Sequence, residues 1–366
     1  MTDHQNSRPL IELTGFGVNP GNLKSWLYLP SILAPKTALV VVLHGCTQDA
    51  AGYDHGSGWT QLAEKNGFAV LFPEQQRSNN GNLCFNWFQP GDARRDSGEA
   101  LSIREMVGHV VTSHGLDEER AYITGLSAGG AMALVMLATY PELFNGGAMI
   151  GSLPYGVAGS VDQAFQRMQG RNAPDPHHLR SALVNASPGA AARPKISVWH
   201  GTHDQIVRPV NAMQIVDQWS GAHGLGEIAD TVETGQGFTR KVWRSDDGAE
   251  VVELYMVAGM GHGVPISASA KTPLGSSGPY MLDTGISSTA RIARSWGLAD
   301  DQDVADAEGS AAKHGAQPSA TETLKGRVAG MMANMSQSPL EGAKAAGRQS
   351  VNKVITDALR AAGLMR

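Results

Sequence analysis

The chain has 366 residues, more than one ordinary core needs, so it divides into a large domain with an appendage or into two domains. Hydrophobic residues make up 42%, which excludes wholesale disorder, and a net charge of −5 argues against a nucleic-acid binder. Charged residues are only 17%, below the usual figure of about 25%, and the 44 glycines make a turn-rich body. Two cysteines cannot build a disulfide framework. The polar segment 1–7 lacks the apolar stretch of a leader, and no apolar run reaches the roughly 20 residues of a membrane span. The expectation is a cytoplasmic protein without a membrane span.

In chain order, Leu39–Leu43 is a continuous apolar run, as in a strand covered on both faces. Thr60–Asn66 reads as a helix ending at Gly67, and Phe68–Phe72 as a strand stopped by Pro73. Ser97–His114 is a long helix closed by Gly115, and Ala121–Thr124 a short strand. Gly129–Thr139 is helical up to the Tyr140-Pro141 break. Strands follow at Ala148–Ile150, Ile196–Trp199 and Val251–Val257, with a last helix over Ser287–Trp296. Asp246-Asp247-Gly248, between Arg240–Arg244 and Glu250–Val257, signals a hairpin. The alternation predicts an α/β fold with a mostly parallel central sheet and helices on both faces.

Composition breaks after Leu298. All 22 aromatic residues lie before it, so residues 299–366 are a poor candidate for a core of their own. The domains expected are a catalytic body, 1–298, and a low-complexity linker with a partly helical or disordered tail, 299–366. That tail opens on an acidic stretch, Asp300 to Glu308, and turns basic beyond it. Val351, Val354, Ile355, Ala358, Leu359 and Ala362 recur at helical spacing. Such a helix either packs on the surface or docks a partner or a polymer surface.

The strongest chemical signal is Gly125-Leu126-Ser127-Ala128-Gly129, a G-x-S-x-G between a strand and an apolar helix. A serine on so sharp a turn exposes its Oγ. It needs a base and an orienting carboxylate, in the chain order Ser, Asp or Glu, His. His262, in Gly259-Met260-Gly261-His262-Gly263 directly after a strand, fits the base. Asp204, in Trp199-His200-Gly201-Thr202-His203-Asp204, fits the carboxylate. A rival reading makes His200, His203 and Asp204 metal ligands, but no third convergent ligand group is evident beside the two histidines. The oxyanion needs two backbone amides: Ala128, after the nucleophile, and one from His44-Gly45-Cys46-Thr47-Gln48, with Cys46 first and Thr47 second. This chemistry requires no metal and no organic cofactor.

Together with Cys84-Phe85-Asn86-Trp87-Phe88 and Leu153-Pro154-Tyr155-Gly156, these segments resemble, in order, the polyhydroxybutyrate (PHB) depolymerase family of esterases. That family is similar to feruloyl and acetylxylan esterases. The resemblance spans roughly residues 10–298 and implies an α/β-hydrolase fold with Ser127, Asp204 and His262 as the triad. It implies poly- or oligo-3-hydroxybutyrate esters as substrate, with aryl esters and acetylated carbohydrates as the second class and an extracellular location as the alternative. Similar enzymes often carry a Trp-Pro-Gly-like stretch after the catalytic histidine, whereas Gly263-Val264-Pro265-Ile266 follows here. A reading of another class makes the protein a granule-binding one that works through its tail. His44, Trp87 and Tyr155 are the candidate substrate contacts. Cys46 and Cys84 follow neighbouring strands and are either free thiols or a bridge bracing the oxyanion turn, worth roughly 2–4 kcal/mol.

Overall fold

The computed structural model describes residues 9–190 and 193–309. The edge strand β1 (Ile11–Glu12) and its neighbour β2 (Lys24–Tyr28) come first. They lead to β3 (Leu39–Leu43), every residue of which is buried. Helices α1 (Ala50–Ser57) and α2 (Trp59–Asn66) follow. Asp49 caps α1 by accepting a hydrogen bond from the Gly52 amide, and left-handed Gly58 and Gly67 end the two helices. Next come β4 (Ala69–Glu74), α3 (Gly98–His114), β5 (Ala121–Leu126), α4 (Ala128–Thr139) and β6 (Gly146–Ile150). Helices α5 (Val161–Met168) and α6 (Pro176–Ala186) precede β7 (Lys195–Gly201) and α7 (Val210–Ala222). The series closes with β8 (Thr231–Gly235), β9 (Phe238–Arg244), β10 (Glu250–Val257), β11 (Val264–Ile266), β12 (Met281–Asp283), α8 (Ser288–Ser295) and α9 (Asp301–Ala307).

Ten of these strands form one sheet in the order β1-β2-β4-β3-β5-β6-β7-β10-β9-β8. From β4 to β10 all neighbours are parallel, and the antiparallel pairs lie at the two edges. The expected hairpin joins β9 to β10. Successive strand residues face opposite layers, as the pleat requires. Leu39, Val41 and Leu43 pack with α3, α4, α6 and α7, whereas Val40 and Val42 pack with α1, α2 and α8. Every residue of α4 is buried, so its sequence is apolar all round instead of amphipathic.

Two expectations change. Pro73 does not stop its strand, which runs on to Glu74. Pairing with β3 ends at Leu71, and Pro73 faces only β2, so its missing N–H breaks no central ladder. The acidic stretch after Leu298 is also more than linker, because it folds as α9 against the body. Asp300 and Asp303 form a reciprocal capping box. Asp303 pairs with Lys65 at 2.5 Å, and Glu308 takes Arg291 in a two-pronged ion pair of 2.5 and 2.7 Å. Leu298 and Ala307 are buried in the same layer. The amphipathic segment Val351–Ala362 lies outside the described residues. No described helix is long and apolar enough to cross a membrane.

A chain ending at residue 298 therefore loses a capping box and four ion pairs, those of Asp301, Asp303, Asp306 and Glu308 with the body. Its melting temperature should lie roughly 2–6 °C below that of a chain ending at 309, as each 1 kcal/mol is worth about 2–4 °C at this scale. Equal melting temperatures in calorimetry would show that α9 adds nothing to the body.

Candidate active site

The parallel strands end at one edge of the sheet, and their following turns collect the candidate residues there. Ser127 stands between β5 and α4 with φ 56° and ψ −116°, a left-handed conformation that costs a non-glycine residue about 1–3 kcal/mol. Its amide donates to Ile150 O at 2.8 Å and its carbonyl accepts from the Ala131 amide at 2.9 Å, which pins the turn to β6 and α4. Ser127 is partly exposed within a run of buried neighbours. Gly129 lets α4 come this close to β3: a side-chain carbon there would sit 2.3 Å from Leu43 O and 2.5 Å from His44 O. The same contact sets the start of α4, with the Ala128 amide, beside the turn that carries Cys46.

That turn is braced from several sides. Gln48 Oε1 accepts the Gly45 amide at 2.9 Å, and Cys46 is joined to Cys84 by a disulfide bond. Thr47, left-handed at φ 66°, donates its amide to Asn82 O at 2.7 Å. Thr47 is therefore not available as an oxyanion donor, and Cys46 remains the candidate of this turn.

The turns after β7 and β10 are stitched together. Thr202 N donates to Val257 O at 3.0 Å and His203 N to Met260 O at 2.9 Å. Gly201 is obligatory, since a side-chain carbon would fall 2.2 Å from Met260 O. Asp204 is buried; its Oδ1 accepts the amides of Ile206 and Val207, both at 2.9 Å. Its Oδ2 accepts from His262 Nδ1 at 2.7 Å. Burial pushes this carboxyl up, but the His262 charge and hydrogen bond, with His200 and the Val207 amide, outweigh it and hold Asp204 below its ordinary value. Such a carboxylate fixes the imidazole tautomer and leaves Nε2 free to exchange a proton. Gly151, which follows the Ser127 partner Ile150, lies under the His262 ring, where a side-chain carbon would sit 3.1 Å from Nδ1 and Cε1. Ile150 thus holds the Ser127 amide while the next residue, Gly151, lies against the His262 ring, which brings both turns to the same end of β6.

His200 is fully buried; its Nε2–H donates to Val207 O at 2.8 Å and lies 3.4 Å from Asp204 Oδ2. His203 is exposed. The two histidines are not brought together, and the metal reading of His200, His203 and Asp204 finds no support in their placement.

His44 must also be reassigned. It is buried, its Nδ1–H donates to Gly45 O at 2.8 Å and its Nε2 accepts the Gln75 amide at 3.1 Å. Both nitrogens are engaged within the protein, so the ring has no polar group left for a substrate. Gln75 continues the network: its Nε2 donates to Cys84 O at 3.1 Å and to Glu99 Oε1 at 2.5 Å. Glu99 also accepts the Asn86 amide and side chain, both at 2.8 Å. Trp87 and Phe88 pack edge to face in the α3–α4 layer, 5.4 Å between centroids. Phe85 lies in that layer too, against the His44 ring. Tyr155 is half-buried, held through its backbone by Gln218 and through its hydroxyl by Ala93 O.

Gln75, Glu99 and Tyr280 escape sequence reasoning. Glu99 reads as an ordinary acidic residue in the first turn of α3, and nothing in the sequence marks it as buried. Among the described residues eight non-glycines have positive φ, and Thr47, Leu83, Ser127 and Tyr280 border this site. Backbone strain of this kind gathers at functional sites. Two clefts of about 430 and 570 Å³ open elsewhere and are lined by none of Ser127, Asp204 and His262.

A mostly parallel sheet, a strained serine elbow after β5 and a carboxylate–imidazole pair after β7 and β10 define an α/β-hydrolase. An acetyl xylan esterase from Aspergillus awamori has the same fold, with a TM-score of 0.68 and 24% identity over 80% of this chain and 100% of that one. The family model described as esterase PHB depolymerase matches residues 23–243, and the chain belongs to that family of carboxylic-ester hydrolases. It is 41% identical over 295 residues to poly(3-hydroxyalkanoate) depolymerase C of Paucimonas lemoignei, covering 79% of this chain and 70% of that protein. It is 30% identical over 269 residues to feruloyl esterase B of Talaromyces funiculosus, covering 71% and 74%.

The buried Glu99 gives this site a pH signature. Burial first, then the Asp92 charge, raises its carboxyl from 4.5 to about 8. Between those values the unfolded chain binds fewer protons than the folded one. The stability due to the neutral buried acid is therefore complete below pH 4.5 and lost as pH rises toward 8. In thermal melts the wild type should lose ground to Glu99→Gln between pH 5 and pH 8. Parallel curves would show that Glu99 carries no such proton.

Proposed function

We propose that the protein is a serine esterase working through an acyl-enzyme, with Ser127 as nucleophile, His262 as general base and acid, and Asp204 as the group that orients it. The observation that carries this reading is the 2.7 Å hydrogen bond from His262 Nδ1 to buried Asp204, delivered beside the strained Ser127 turn. His262 Nε2 takes the Ser127 proton as Oγ attacks the ester carbonyl. The tetrahedral oxyanion accepts hydrogen bonds from the Cys46 and Ala128 amides. Collapse expels the alkoxide, which takes the proton from His262. Water then attacks the acyl-serine, again with His262 as base, and the acid leaves as Ser127 regains its proton.

The preferred substrate is a poly- or oligo-3-hydroxybutyrate ester. Its support is the 41% identity to a protein named as a poly(3-hydroxyalkanoate) depolymerase, against 30% to one named as a feruloyl esterase. Trp87 and Tyr155, which pack in the α3–α4 layer, are the candidate acyl-side contacts. The Cys46–Cys84 bridge favours an oxidising compartment over a reducing cytoplasm.

Ser127→Ala should lower kcat on p-nitrophenyl butyrate by roughly 10⁴–10⁶-fold with an unchanged circular-dichroism spectrum, and Asp204→Asn by about 10⁴-fold. Wild-type-like turnover in Ser127→Ala would contradict the assignment. Rates of the wild type on hydroxybutyrate oligomers, methyl ferulate and acetylated xylan then decide the substrate. A higher kcat/KM on either of the last two would favour the carbohydrate-esterase reading.

A further inference from the structure

The segment between β11 and β12 brings an aromatic ring against His262. The Tyr280 ring meets the imidazole edge to face, with centroids 6.0 Å apart and planes at 81°. The placement is built into the backbone on both sides. Two residues beyond His262, the Val264 amide donates to Tyr280 O at 2.8 Å, and β11 pairs with β12 in parallel from Val264 and Met281 onward. Gly263 permits this approach, because a side-chain carbon there would sit 2.6 Å from Tyr280 O. Upstream, Ser276 N donates to Gly56 O at 3.2 Å and Gly275 N to Gln61 Oε1 at 2.8 Å, which ties the segment to α1 and α2.

Tyr280 holds a left-handed φ of 63°, a conformation that is an outlier for a bulky side chain and persists only where the surroundings impose it. The ring is half-buried and follows the exposed residues 277–279. It packs with the α1–α2–α8 layer, whereas Trp87, Phe88 and Tyr155 belong to the α3–α4 layer. Trp87 and Phe88 are buried within their layer, whereas half-buried Tyr280 has its ring against the proposed base.

The chemistry says what that ring faces. The imidazole that deprotonates Ser127 must later hand its proton to the departing alkoxide, so the leaving group lies within reach of the His262 ring. We infer that Tyr280 forms the alcohol-side wall of the cleft and is a specificity-determining residue for the leaving group, favouring apolar alcohol parts that can pack on its face. This inference rests on His262 being the general base of a serine esterase.

Methyl butyrate and benzyl butyrate pass through the same butyryl-enzyme and differ only in the alcohol, so their ratio isolates that side. With the full chain, Tyr280→Ala should lower the benzyl-to-methyl ratio of kcat/KM about tenfold, mainly through KM for the benzyl ester. Tyr280→Phe, which keeps the ring, should hold the wild-type ratio within twofold. An unchanged ratio in Tyr280→Ala would overturn the inference, whether both rates fall together, as for a residue that only steadies the imidazole, or neither falls. A wild-type enzyme that cleaves neither ester would overturn the serine-esterase reading itself, and this inference with it.

Discussion

The site depends on the close approach of α4 to the end of β3. Gly129 touches the carbonyls of Leu43 and His44, and only a residue without a side chain fits there. This contact brings the start of α4, directly after the left-handed turn at Ser127, against the end of β3 that leads into the Cys46 turn. The strain at Ser127 is held by hydrogen bonds to β6 and α4 and by a helix that is buried on every side. In the proposed mechanism, such an elbow would present the Ser127 hydroxyl and the Ala128 amide without reorganising, which is where oxyanion stabilisation draws most of its advantage.

The rest of the edge is organised around that elbow by two ties. On one side, the disulfide and the chain of hydrogen bonds from His44 through Gln75 to Glu99 and Asn86 hold the Cys46 turn. On the other, Gly201 and the amides of Thr202 and His203 hold the Asp204 turn against the His262 turn. The parallel sheet supplies the common edge, and the glycines let backbones meet where side chains would collide.

The proposed catalytic residues can be picked out from sequence because local rules constrain them. A serine elbow needs G-x-S-x-G after a strand, and the expected chain order of partners points to Asp204 and His262. Buried parallel strands such as Leu39–Leu43 read as apolar runs, and hairpins announce themselves by Asp-Gly. What stayed hidden depends on tertiary contact. His44 looks like a site histidine, yet its two nitrogens are satisfied by Gly45 and Gln75. Glu99 resembles a helix-start carboxylate until the 84–88 loop folds over it. Pro73 looks like a strand stop because the loss of the β3 neighbour cannot be seen from composition. Strands β11 and β12 are three residues each and 14 residues apart, too short for any periodicity to show. The aromatic-free break after Leu298 is real in composition, but α9 still packs because its anchors are capping and ion pairs, not large apolar side chains.

The account stands on Ser127 being the atom that bonds to the acyl group. Its most direct test is covalent capture by a p-nitrophenyl alkylphosphonate, whose phosphorus takes the place of the carbonyl carbon and whose nitrophenolate leaves. The account predicts one adduct per chain, mapped by mass spectrometry to the peptide containing Ser127, with ester hydrolysis lost in step with labelling. An adduct on another residue, or full hydrolysis by a chain fully labelled at Ser127, would contradict it.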